Sequence, residues 1–129
     1  SISEVLQTPG RVWYPVAEAT AAIRALGAAG LGGFALDMAW SLAHIVADLA
    51  GRDPEQVGVA LADIAARGAL QSGDIQFFDG GDFDLIDILA ADYGTDRAEM
   101  VSHIVAGDMT HGKFVNALRR QIGEGLAYP

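Results

Sequence analysis

The sequence predicts an all-α fold, a compact bundle of five or six helices in a single domain of 129 residues. Three observations carry that expectation. Apolar residues recur at three- and four-residue spacing along several segments. Helix-start and helix-stop residues punctuate those segments. Half of the residues are apolar, with alanine prominent, which is ordinary for a packed core and too apolar for disorder.

Residues 1–16 read as an N-terminal arm. Residues 3–7 offer one helical turn, stopped by Thr8-Pro9-Gly10. The β-branched and aromatic residues of 11–16 read as an extended segment or short strand, and Pro15 excludes a central position in a sheet. A first helical half covers residues 17–67. It opens with an alanine-rich helix over 17–29, placing Val16, Ala19, Ile23 and Leu26 on one face. The glycines of 27–33 break that helix or let two backbones pack closely. A longer helix over 34–50 follows, striped by Phe34, Met38, Leu42, Ile45 and Leu49. Gly51 ends it. Asp53-Pro54-Glu55 then starts another, with a capping aspartate, a proline at the first position and an acid in the first turn. Val57, Leu61 and Ile64 give its buried face, and Gly68 closes it.

Residues 68–82 have no helical period and many turn residues, so they read as a loop. Within it, residues 74–78 predict a short strand that pairs with 11–16 as a minor two-stranded ribbon. The second helical half is 83–129. Its first helix, 83–91, is apolar almost all round and is the expected centre of the bundle. Thr95 caps the next, which runs to about residue 106 with Val101, Ile104 and Val105 inward. The last opens at Thr110 or His111 and repeats Phe114, Leu118, Ile122 and Leu126 at every fourth position. The two helix pairs resemble each other. A shift of 43 matches Gly51 with Gly94 and Asp53 with Asp96, whereas a shift of 44 matches Asp48 with Asp92 and Glu55 with Glu99. Shared capping rules account for such a match without a duplication.

Net charge is −9, with Lys113 the sole lysine beside seven arginines. That balance repels nucleic acid and anionic lipid at long range and fits a basic protein partner, a cation or plain solvation; self-association is the other partner expectation. No cysteine is present, which excludes disulfides, thiolate metal sites and a cysteine nucleophile. The N-terminal residues lack the basic and apolar regions of a leader. The longest uncharged apolar stretch, residues 25–36, falls well short of the roughly 20 needed to span a bilayer. A cytoplasmic location away from membranes is the expectation.

The most unusual feature is an acidic run. Between Asp74 and Glu99 there are eight acids and one base, Arg97. Asp79, Asp82 and Asp84 cluster around two glycines, the oxygen-rich pattern that hard cations favour, but the spacing is not that of a calcium-binding EF-hand loop. Helix capping accounts for them more simply. Asp82 serves as cap, Asp84 complements the helix dipole from the first turn, and Asp96 does the same for the next helix. Asp74, Asp79, Asp87, Asp92 and Glu99 are then surplus charge. With Phe77 and Phe78 beside them, Asp74, Asp79 and Asp87 are the candidate partner-binding residues.

His44 falls on one helical stripe with Asp37, Ser41 and Asp48. A histidine and aspartate four residues apart can act as general base and orienter, and His103, itself four residues from Glu99, is the candidate companion. An exposed polar helix face accounts for the same spacing. The glycine-rich segment lacks the lysine of a phosphate-binding loop, and no zinc-protease or serine-hydrolase motif is present. Ala90, Gly94 and Met100 have helix-turn-helix spacing, as do Ala47, Gly51 and Val57, yet the would-be recognition helices carry Glu55, Asp63 or Glu99 and one arginine each.

The leading expectation is therefore a non-enzymatic protein-interaction module, an adaptor, assembly factor, immunity or regulatory protein, with no cofactor. A small enzyme or ligand-binding domain around His44 and Asp48 is the second reading. A helix-turn-helix regulator is the third.

Overall fold

The computed structural model describes Tyr14, Val16 and residues 19–123. The helical turn expected at 3–7, most of the arm at 11–16 and Leu126 lie outside the described residues. The described chain is all-α: α1 (Ala21–Ala28), α2 (Gly33–Ala50), α3 (Pro54–Arg67), a 3₁₀ turn (Ser72–Phe77), α4 (Leu85–Tyr93), α5 (Arg97–Val105) and α6 (His111–Ile122).

Local chemistry sets most boundaries. Thr20 caps α1 by accepting the Ile23 N–H, so the helix starts well inside the expected 17–29 and leaves Val16 and Ala19 exposed. Between α1 and α2 the glycines shape a turn, with Gly30 and Gly33 at φ +95 and +53. A Cβ on either would meet nothing within 4 Å, so close helix packing is not their role. Asp53 caps α3 through the Glu55 N–H, with Pro54 at the first position as the sequence predicts.

Residues 74–78 do not form a strand. The Asp74 carboxylate accepts the Gln71 N–H at 2.7 Å and pairs with Arg67 at the end of α3. These contacts curl the chain into the 3₁₀ turn and hold it on α3, and Phe78 follows into the core against Phe114. A tight turn comes next, in which Phe83 N–H donates to Gly80 O at 2.8 Å. It presses on the end of α2 so closely that a Cβ on Gly80 would lie 2.1 Å from the Ala50 carbonyl oxygen. That turn consumes Asp82, and α4 starts two residues later than predicted, capped by Asp84. Asp96, rather than Thr95, caps α5.

The centre of the bundle is α2, not α4. Met38 to Ala43 are buried without interruption, and α2 packs against α1, α3 and α6, whereas α4 meets α5 and α6. Phe34 and Leu49, at the two ends of the predicted stripe, remain partly exposed. On α5 the inward face is Met100 and Ile104; Val101 and Val105 point out, Val105 at 71% exposure. Met100, a flexible side chain that adapts to irregular core space, takes the inward position, and the two valines fall on the outer side. Two backbone hydrogen bonds of 2.9 Å, Leu70 to Met109 and His111 to Gly68, join the segment after α3 to the one before α6. They tie the two helical halves together.

Candidate functional site

Most of the acidic run is engaged within the fold. Asp74 is buried, 7% exposed, and its charge is met by Arg67. Asp79 accepts the Leu85 N–H at 2.8 Å, satisfying a free donor at the start of α4, while its carbonyl accepts Arg52 Nε. Asp84 and Asp87 share Arg97, at 2.7 and 2.6 Å. Partial burial pushes the Asp84 carboxyl up, but the Asp87 N–H and the Arg97 guanidinium outweigh it and hold the group below its ordinary value. Asp92 accepts Arg120 through both Nε and Nη2, and Gln121 adds a third donor. The hydrogen bonds from Arg120 hold its carboxyl low as well.

Two of the predicted partner-binding residues are therefore not on the surface. Asp74 is enclosed by its ion pair, and Phe78 is 0% exposed. Asp87 is exposed but bound to Arg97, and Asp79 is half-buried at the helix start. Phe77, at 41% exposure, is the one that presents a large side chain to solvent. Nor do Asp79, Asp82 and Asp84 converge as a cation site. Their oxygens serve a helix N–H, solvent, and a cap with an ion pair, and among the described residues no group of three His, Asp or Glu side chains is placed to hold a metal.

On the His44 stripe Ser41 is buried and His44 half-buried, while Asp48 stays exposed. Tyr14 stacks on the His44 ring at 4.2 Å and 7°, and Trp40 meets the other side edge-on at 4.4 Å. The Tyr14 N–H donates to Ser41 Oγ and its hydroxyl donates to Asp48, both at 3.2 Å. Asp48 thus serves Tyr14 as acceptor. Burial lowers the His44 pKa, opposed by the charges of Asp48 and Glu55; burial, then Asp48, raises that of Tyr14. His103 has other partners: Glu99 at 3.9 Å and Asp108 at 3.5 Å. His44 is thus a packed aromatic-stack residue rather than the free base that the polar stripe suggested, and His103 pairs elsewhere, with Glu99 and Asp108.

Comparisons of the chain with family models, with curated proteins and with solved structures find no match. No described helix is long and apolar enough to cross a membrane.

A groove of about 360 Å³ lies between the start of α1, the outer side of α3 and the 3₁₀ turn. Ala21, Val59, Ala60 and Phe77 supply apolar walls, and Glu55, Gln56 and Asp63 supply polar ones. Glu55 Oε2 accepts the Ala22 N–H at 3.0 Å, so an acid from α3 stabilises the N-terminal end of α1. Its other oxygen, Oε1, is enclosed without a hydrogen-bond partner. Asp63 is exposed and makes no described ion pair, and no arginine or lysine lines the groove among the described residues. Apart from Phe77, sequence reasoning missed this site. Gln56, Val59, Ala60 and Asp63 do fall at i, i+3, i+4 and i+7 on one side of α3. Their mixed polarity gave no stripe, and the wall facing them is the segment expected to be a strand.

Proposed function

We propose that this protein is a non-enzymatic interaction module that docks a segment of a partner protein in the groove beside Phe77. The observation that carries the reading is the exposed Phe77 ring beside an apolar groove in which the charged groups among the described residues, Glu55 and Asp63, are acids. An aromatic side chain held at a groove edge is the usual anchor of a protein interface. The fold supports it too, because Phe78 and the Arg67–Asp74 pair fix the 3₁₀ turn that presents the ring. The engagement of Asp84, Asp87 and Asp92 by arginines leaves less free charge in the acidic run, which supports the groove as the recognition site. The net charge of −9 still favours a basic partner. A cytoplasmic site of action belongs to the same proposal, and fractionation of the native host checks it.

Selection from a displayed random-peptide library tests the reading without presupposing a partner. The expected outcome is a family of mutually competing peptides whose binding is lost in Phe77→Ala and kept in Val105→Ala, a control at an exposed α5 side chain that does not line the groove. Peptides that bind Phe77→Ala as well as wild type would remove the groove from the account.

A further inference from the structure

Resting on the groove as a docking site, we infer that its occupant is a short basic amphipathic helix, with two aliphatic side chains seated over Val59 and Ala60 and a cation paired with Asp63. The length of the site supports a helix. Gln56 and Asp63 stand seven residues apart on α3, about 10 Å at 1.5 Å per residue, which two turns of a partner helix match. A partner laid along that stripe presents its i, i+3, i+4 and i+7 side chains to it. An extended peptide that binds by strand addition would instead need a sheet edge for main-chain pairing, and the described residues form no strand. The volume, about 360 Å³, gives room for side chains rather than for a whole globular surface.

The charges select the sign of the partner. Asp63 stands at one end of the stripe with no described counter-ion, and Glu55 stands near the other. The Glu55 carboxylate is half satisfied: one oxygen takes the Ala22 N–H, while the other has no hydrogen-bond partner. Its charge therefore adds to the negative potential of the groove, and an anionic side chain there would be repelled from both ends. Arginine or lysine about two helical turns apart, bracketing two leucine-sized residues, fits both the spacing and the sign. The negative charge of the whole chain draws such a segment in at long range.

The test uses two fluorescein-labelled, alanine-based helical peptides read by fluorescence anisotropy on the full chain. One carries Arg, Leu, Leu and Arg at i, i+3, i+4 and i+7; the other replaces both arginines with glutamate. The arginine peptide should bind wild type, weaken as salt rises, and lose roughly tenfold in affinity against Asp63→Lys, about 1.4 kcal/mol. The glutamate peptide should bind Asp63→Lys better than wild type. That rescue separates a charge contact from misfolding, which circular dichroism of each variant also checks. If both peptides bind wild type equally and both are lost in Phe77→Ala, the basic partner is wrong and the docking groove stands. If the arginine peptide binds Phe77→Ala unchanged, the groove reading falls as well. If neither binds and the wild-type chain is a dimer that Phe77→Ala makes monomeric, the occupant is a second copy, and the inference is overturned.

Discussion

Arg120 of α6 grips Asp92 of α4 through two nitrogens, Nε to Oδ1 at 3.0 Å and Nη2 to Oδ2 at 2.6 Å, across 28 residues of sequence. The pair pins the last helix to the second hairpin. Its hydrogen bonds hold the Asp92 carboxyl below its ordinary pKa of 3.8. The folded state therefore binds that proton less readily than the unfolded one. The stabilisation is present above the ordinary value and is lost as pH falls through the lowered one. Urea unfolding at about pH 5 and about pH 3 should show wild type losing more stability on acidification than Asp92→Asn. Equal losses would mean that the pair does not contribute.

Asp82 and Asp84 separate by role. Asp84 accepts the Asp87 N–H at 3.0 Å as the cap of α4, and Asp82 is exposed in the preceding turn. Asp84→Ala should cost about 1 kcal/mol in a denaturant melt, and Asp82→Ala less than about 0.5 kcal/mol. The reverse order would restore the earlier helix start that the sequence suggested.

Adjacent phenylalanines should differ even more. Phe78 is fully buried, with its ring 5.4 Å from Phe114 in an edge-on contact, while Phe77 is 41% exposed. Phe78→Ala should destabilise by about 3–5 kcal/mol, and Phe77→Ala by less than about 1 kcal/mol. Thermal melts of the two variants decide it, and comparable losses would contradict the inward and outward placement.

His44 gives a prediction near neutral pH. Burial between Tyr14 and Trp40 lowers its pKa from 6.5, so the neutral ring is favoured in the fold. Stability should fall as pH drops from 6.5 through the lowered value, and burial of His111 acts with the same sign. An NMR titration of the His44 ring should give a midpoint below 6.5 that rises toward it in Tyr14→Ala. A wild-type midpoint at or above 6.5 would show that Tyr14 does not cover the ring.

The helical class and the Asp53-Pro54 start were legible because they rest on local rules of periodicity and capping. The two hairpin turns were legible for the same reason. Gly51 and Gly94 both sit at φ +66, and Asp53 and Asp96 both cap the helix that follows, so the shift of 43 is the one the turns share. What the sequence concealed was long-range. Nothing local announces that Phe78 will meet Phe114, that the Gly80 turn will press on Ala50, or that Tyr14 will cover His44. The site suffered most, because Val59 and Asp63 on α3 gain meaning only when the 3₁₀ turn brings Phe77 across from them.

The central claim is that recognition resides in the α3 groove and not in the acidic run. An amide ¹H–¹⁵N NMR titration of the full chain with the arginine peptide tests it most directly. The largest shifts are expected at Gln56, Val59, Ala60, Asp63 and Phe77, with Asp82, Asp87 and Asp92 little changed. Shifts concentrated at Asp82 and Asp87 instead, with the groove amides still, would contradict the account.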